Sequence, residues 1–189
     1  MILDLQASDF ELFGLPERFA LDQAALDSQW KALLRETHPD KFASEGAVAQ
    51  RVAMQWAVRI NEAYQRLKNP LSRGMYLCER RGAPVNANTN TAMPAAFLMQ
   101  QMAWREALEE AMTPERLESL LDDAASMRKQ LQQDMAVALD GPADATATPM
   151  SEDPTHAQAA AHAVRALMFV ERFSAEVGDK LERDRKSVV

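Results

Sequence analysis

His38-Pro39-Asp40-Lys41-Phe42 separates two stretches of helical periodicity and decides how the chain folds. Pro39 lacks a backbone donor and biases His38 away from helical dihedrals, so the preceding helix ends here. A short polar tip follows, carrying an imidazole, a carboxylate and an ammonium on His38, Asp40 and Lys41. A connection between two helices does not by itself need that much chemistry.

Upstream, Asp22 is a candidate N-cap. At about 100° per residue, Leu26, Trp30, Leu33 and Thr37 then fall in one narrow arc with Leu34 at its edge, which predicts a core-facing stripe. Lys31 and Arg35 are four residues apart and lie roughly opposite that stripe, close in sequence to Lys41. Downstream, Ser44, Glu45 and Gly46 start a third helix, in which Val52, Trp56, Ile60, Ala63 and Leu67 share a stripe. The two stripes can bury each other in an antiparallel pair, which holds the tip at the exposed end of a helical hairpin.

The composition agrees with an all-α class. Of 189 residues 47% are apolar, enough for a buried core, and the 6 Gly and 9 Pro fall mainly between helical patterns. Lys plus Arg number 21 against 28 Asp plus Glu, a net charge of −7. Phosphate affinity needs clustered positive charge, so general nucleic-acid binding is not expected. The single Cys78 excludes an intramolecular disulfide and a multi-cysteine zinc site. No basic region leads into a long apolar stretch, and no apolar run has the length of a membrane span. A monomeric, cytoplasmic protein with no membrane partner is the expectation.

Reading outward from the hairpin, Ser8-Asp9-Phe10-Glu11 is a capping-box pattern opening a short first helix that stops by Gly14. Phe10, Leu12, Phe13 and Leu15 supply its apolar anchors. Asn69-Pro70 ends the third helix, and residues 71–81 form a fourth with Leu71, Met75 and Cys78 on its apolar side. Residues 82–94 lack periodicity and are rich in turn formers. The expected organisation is therefore a first domain over 1–82, a linker over 83–94 and a second domain over 95–189.

The second domain reads as three helices. After Pro94, Phe97, Trp104, Leu108 and Ala111 form one apolar arc, while Met99, Met102 and Ala103 lie on nearly the opposite side with Glu106 between them and Leu98 at the edge. That second arc is either further core or an adaptable partner surface, methionine being flexible and polarizable. Thr113-Pro114 starts the next helix, whose Leu117, Leu120, Leu121, Ala124, Met127, Leu131, Met135 and Ala138 keep three-four spacing until Gly141. Residues 141–154 form a connection, and Thr155 with Gln158 caps the last helix. There Ala163, Ala166, Val170, Phe173, Val177 and Leu181 share a stripe, with Phe169 on its flank and a frayed end over 183–189.

Enzymatic chemistry is not supported. His38 and Asp40 could pair as base and orienter, but no nucleophile or glycine-rich phosphate loop accompanies them. His156 and His162 are six apart, on different helix faces, so no metal site or cofactor is expected.

The order of the motifs is more informative. His38-Pro39-Asp40 lies between a helix carrying Lys31 and Arg35 and a helix ending Ile60-Asn61-Glu62-Ala63-Tyr64-Gln65-Arg66-Leu67, which resembles a J-domain. With Phe10-Glu11-Leu12-Phe13-Gly14-Leu15-Pro16, Pro70-Leu71-Ser72-Arg73-Gly74-Met75-Tyr76-Leu77 and Ala96-Phe97-Leu98-Met99-Gln100-Gln101, almost the whole chain resembles the HscB-type co-chaperones of iron-sulfur cluster assembly. The resemblance implies a non-enzymatic J-domain protein that stimulates ATP hydrolysis by an Hsp70-type chaperone, HscA in bacteria. It also implies a C-terminal domain that binds the cluster scaffold IscU. On the matching positions it assigns His38, Pro39 and Asp40 to chaperone stimulation, with Lys31, Arg35 and Lys41 giving positive charge, and assigns Leu98, Met99, Met102, Glu106 and Phe169 to the scaffold. Ala103 departs from the family, where an acidic residue is common, and the 141–154 connection is longer than usual. No cysteine-rich zinc module precedes the first helix, which implies a bacterial-type protein. A J-domain co-chaperone with another client, and a purely structural helical protein, are the alternatives.

Overall fold

The computed structural model describes residues 6–86, 93–141 and 154–187. Among these the chain is all-α, with α1 (Asp9–Leu12), α2 (Gln23–Glu36), a 3-10 helix (Pro39–Glu45), α3 (Ala47–Lys68), α4 (Pro70–Arg80), α5 (Ala95–Glu110), α6 (Pro114–Asp140) and α7 (Pro154–Ser187). No described helix is long and apolar enough to cross a membrane. The chain divides into two compact units, Met1–Leu77 and Cys78–Val189, so the division falls within α4. The sequence reading keeps α4 whole and starts the second domain after the 83–94 linker, of which residues 87–92 lie outside the described residues.

In the first unit the Ser8 capping box forms: Ser8 Oγ accepts from the Glu11 amide at 3.2 Å and the Ser8 amide donates to Glu11 Oε2 at 2.7 Å. Asp9, which the sequence shows only as part of this cap, is fully buried. It meets Arg59 at 2.7 Å and Arg66 at 2.8 Å, and its amide donates to the Tyr76 hydroxyl at 3.1 Å. A buried carboxylate is tolerated only when paired, so this cluster fixes α1 against α3. Phe10, Leu12 and Phe13 are buried as the sequence pattern suggests.

Asp22 caps α2 as its sequence suggests, accepting from the amides of Ala24 at 2.9 Å and Ala25 at 3.1 Å. Leu26 and Leu33 from α2, Thr37 at its C-cap, and Ile60, Ala63 and Leu67 from α3 are buried. Each fully buried Leu or Ile stabilises the pair by about 1.5–3 kcal/mol. The Thr37 hydroxyl donates to the Leu33 carbonyl at 2.9 Å, so its burial leaves no orphan donor.

Three expectations need correction here. α3 begins at Ala47, because Ser44 and Glu45 belong to the 3-10 helix and Gly46, at φ +93°, breaks the chain direction between them. Val52 is 46% exposed and Trp56 half-buried. The reason is length: α3 has 22 residues and α2 has 14. At 1.5 Å per residue α3 is longer by about 12 Å, and the 3-10 helix packed on its first turns covers them incompletely. In α4 the buried side holds Arg73, Leu77 and Cys78, while Met75 is 37% exposed. Arg73, read as polar surface, donates to the Leu67 carbonyl and lies 4.9 Å over the Phe19 ring.

In the second unit α6 begins with Thr113 as N-cap and Pro114 in the first turn, and ends at Gly141 with φ +80°. Leu117, Leu120, Ala124, Leu131 and Met135 are buried, and Leu139 rather than Ala138 completes the stripe. The α7 stripe of Ala163, Ala166, Val170, Phe173, Val177 and Leu181 is buried throughout. Phe97 meets Phe169 near one end of α5 and Leu108 meets Lys180 near the other, so α5 and α7 run parallel. Thr155 lies inside α7, which begins at Pro154, and is not its cap. Residues 183–187, expected to fray, are helical, since no Gly or Pro after Gly178 interrupts them. Most of the 141–154 connection lies outside the described residues.

Candidate functional site

Two exposed surfaces, one in each unit, carry the residues singled out from the sequence. At the end of the α2–α3 hairpin, His38 leaves the helix with φ −63° and ψ 128°, the extended geometry that a following proline imposes. The tip is not irregular: Pro39 opens the 3-10 helix. His38 Nδ1 accepts from the Asp40 amide at 3.3 Å, which caps this helix and leaves Nε2–H as the donor of the neutral ring. The same Nδ1 is 3.6 Å from Asp40 Oδ2. The two side chains are 59% and 90% exposed, so they are ordered by local bonds without being desolvated.

Lys31, Arg35 and Lys41 are exposed as expected. Arg35 Nε donates to the Lys31 carbonyl at 3.2 Å, which lays the side chain back along α2. The arrangement is an open cluster of charge with no enclosing walls. It can attract and orient an acidic partner, and it lacks the water exclusion that strengthens electrostatic catalysis.

A set of polar aromatic contacts clamps α2 to α3 behind these cations, and sequence reasoning missed it. The Trp30 indole stacks on Tyr64 at 4.3 Å between centroids and donates to Asn61 Oδ1 at 2.9 Å. The Tyr64 hydroxyl donates to Asp27 at 3.0 Å and the Gln23 amide does so at 2.7 Å. Those two bonds, Gln23 first, hold the Asp27 carboxyl below the usual carboxylate range. Trp30 therefore acts as a half-exposed strut and not as the core residue its arc suggested. The available signal was that Trp30 and Tyr64 each pair an apolar ring with a polar edge.

In the second unit the Met-rich arc of α5 faces solvent. Leu98 is 43% exposed, Met99 72% and Met102 73%, and Ala103 and Glu106 are also exposed. Only the opposite arc is core, with Trp104 and Ala111 buried. Phe169 on α7 is half-buried in an aromatic cluster, edge-on to Phe97 at 5.8 Å and stacked with Phe173 at 6.0 Å and Trp104 at 6.3 Å. Arg105, which the sequence reading passed over, places its guanidinium 5.9 Å from the Phe169 ring centroid. At about 100° per residue Arg105 and Leu98 fall between the Trp104 side of α5 and the Met99/Met102 side. Phe169 thus borders the exposed arc, and the arc is an apolar patch with Glu106 and Arg105 as its nearby charges. Contiguous exposed apolar side chains of this kind mark binding surfaces more often than isolated ones do.

Comparisons with known proteins agree with this architecture. Residues 93–178 match the family model described as the HSCB C-terminal oligomerisation domain. The chain is 46% identical to the co-chaperone protein HscB homolog of Burkholderia thailandensis, over 96% of this chain and 98% of that one. Its identity to the Burkholderia multivorans homolog is 44% with the same coverage. Among solved structures, the chaperone HscB from Vibrio cholerae is similar with a TM-score of 0.71 and 32% identity, covering 97% of this chain and 100% of that one. Human co-chaperone protein HscB, at 22% identity, shares the fold with a TM-score of 0.74, covering 97% of this chain and 84% of the human one.

Proposed function

The chain belongs to the HscB family of co-chaperones, and from that premise we propose that it brings the iron-sulfur cluster scaffold IscU to the Hsp70-type chaperone HscA and stimulates HscA's ATP hydrolysis. The observation that carries this reading is the presence of two chemically different exposed surfaces in two separate compact units. The J-domain tip, His38, Pro39 and Asp40 with Lys31, Arg35 and Lys41, docks on the chaperone. The arc of Leu98, Met99, Met102 and Glu106, with Phe169 at its border, docks on the scaffold. The protein itself transfers no group and holds no cluster; it acts in the cytoplasm by placing one partner against the other.

The chemistry suits those roles. Exposed charges raise the rate and fix the orientation of an encounter more than they add affinity, which fits a transient visit to a chaperone. Apolar side chains on a rigid helix supply affinity by leaving water, and methionine adapts to the partner's shape. Ala103 removes one acidic contact from the middle of the arc, so the apolar residues around it carry a larger share of scaffold binding.

The test is single-turnover ATP hydrolysis by the chaperone with wild-type protein and with Asp40→Asn. Loss of stimulation in the variant, with scaffold affinity retained, is expected; full stimulation by Asp40→Asn would remove the tip from the mechanism. A second reading draws on the description of the matching family model as an oligomerisation domain. In it the exposed arc joins two copies of this chain. Sedimentation separates the two: a monomer that Met99→Ala leaves unchanged favours the scaffold, and a dimer that the same substitution dissociates favours self-association.

A further inference from the structure

Met99 and Met102 bring oxidisable sulfur to the arc as well as apolar surface. They stand three residues apart inside α5, on neighbouring turns of one face, and 72% and 73% of their surface is open to solvent. A thioether this accessible reacts with peroxides. The group that usually competes for a peroxide is a thiolate, and here it is withheld. The chain's one cysteine, Cys78, is buried, and burial pushes its thiol up to about 11, so little thiolate exists at neutral pH. Met135, in the α6 stripe, is fully buried and shielded from solvent.

We propose that Met99 and Met102 are an oxidative modification site, at which a peroxide converts both thioethers to sulfoxides and so switches off docking of the scaffold. In each conversion a sulfur lone pair attacks one peroxide oxygen, and the S–O bond forms as the O–O bond breaks. Sulfur is oxidised by two electrons, the peroxide is reduced by two, and with hydrogen peroxide the second oxygen leaves as water with the proton of the transferred one. Thiol-dependent methionine sulfoxide reductases reverse the change. The inference rests on the assignment of the arc to the scaffold.

The surroundings make this change costly for binding. A sulfoxide replaces a flexible apolar side chain by a polar, chiral one, and its oxygen needs a donor once the interface excludes water. Leu98 and Ala103 beside it have no polar side-chain atom to offer, and the Glu106 carboxylate, one turn beyond Met102, is itself an acceptor. Arg105 holds its guanidinium near the Phe169 ring. The tip is spared: Lys31, Arg35, His38, Pro39, Asp40 and Lys41 contain no sulfur. The oxidised protein therefore still addresses the chaperone but arrives without its client.

The test treats the full chain with hydrogen peroxide, removes the excess with catalase and titrates untreated scaffold into it by calorimetry, while peptide mass spectrometry reads the sulfoxide at each methionine. Affinity should fall at least about tenfold as Met99 and Met102 convert, with circular dichroism and single-turnover chaperone stimulation unchanged, and reductase treatment should restore it. Scaffold bound beforehand should protect Met99 and Met102 and leave Met112, which is 85% exposed, to react. The variant Met54→Leu with Met112→Leu lacks two other exposed sulfurs and should lose affinity on oxidation as wild type does. Met99→Leu with Met102→Leu, compared with its own untreated affinity, should change by less than about twofold; Met102→Leu alone, with a smaller loss than wild type, serves if the double variant binds too weakly to titrate. Unchanged affinity after both methionines convert would overturn the inference and leave the scaffold assignment standing. An equal loss in the Met99→Leu, Met102→Leu variant would overturn it too, by placing the sensitivity elsewhere. No binding by the untreated wild-type chain would remove the scaffold assignment, and the inference with it.

Discussion

The hairpin tip and the outward face of α5 are both exposed, yet one is charged and short-ranged in its internal bonding while the other is apolar and seated on an aromatic cluster. The tip holds its geometry through a proline, the His38 imidazole and the Asp40 amide, all within three residues. The arc depends on contacts between helices, because Phe97, Trp104, Phe169 and Phe173 come from α5 and α7. A surface built from local bonds should survive damage elsewhere in its unit better than one borrowed from packing. That difference gives each surface its own way of failing.

The largest effect is expected where the arc rests on its core. Trp104 is 5% exposed and stacks on Phe173 at 4.9 Å. Trp104→Ala should cost about 3–5 kcal/mol and take client binding with it, which chemical denaturation read by circular dichroism checks. Stimulation of chaperone ATPase by the tip should persist under native conditions; if it fell equally, the two surfaces would not be independent. In the other unit, Asp9→Ala should cost about 3 kcal/mol, because it strands Arg59 and Arg66 around a carboxylate site that is fully buried. Its readout is the denaturation midpoint, and the tip's own bonds predict that stimulation survives wherever the unit remains folded.

Surface substitutions should do the reverse, sparing the fold. Met99→Ala should leave unfolding free energy within about 0.5 kcal/mol of wild type while weakening scaffold affinity about tenfold. Lys31→Ala should act more weakly still, slowing association with the chaperone several-fold at low salt and hardly at all at high salt, which stopped-flow kinetics at two ionic strengths would show. The smallest effect concerns Cys78. Burial raises its thiol from the usual 9.0 to about 11, so the folded protein holds the proton more tightly than the unfolded chain does. The associated stability is complete below the unfolded value of 9.0 and is lost as pH rises toward about 11. Wild-type melting temperature should therefore fall through that window more than Cys78→Ala does, and Cys78 should resist thiol reagents at neutral pH until the chain unfolds.

Much of this was legible in the sequence because it is local. The Ser8–Glu11 box, the Asp22 cap, the Thr113-Pro114 start and the α7 stripe each depend on residues within a few positions, and the side chains appear where that spacing puts them. The all-α class and HscB family follow from the same motifs in order. What spacing could not show depends on partners far along the chain. Asp9 is buried by arginines fifty or more residues away, Arg73 turns inward because Phe19 and the Leu67 carbonyl receive it, and Val52 is exposed because α2 stops short of it. The α5 arc is the middle case: periodicity isolated it, but only the position of α7 shows that Met99 and Met102 face solvent and that Arg105 and Phe169 border them.

Under the proposed function, client recognition resides in the α5 arc and not in the tip. That assignment is tested most directly by calorimetric titration of the purified iron-sulfur scaffold into three proteins: wild type, Asp40→Asn, and the double variant Met99→Ala with Phe169→Ala. Equal affinity for wild type and Asp40→Asn, with at least about a tenfold loss in the double variant whose circular dichroism is unchanged, is the predicted result. Unchanged affinity in the folded double variant would contradict the account.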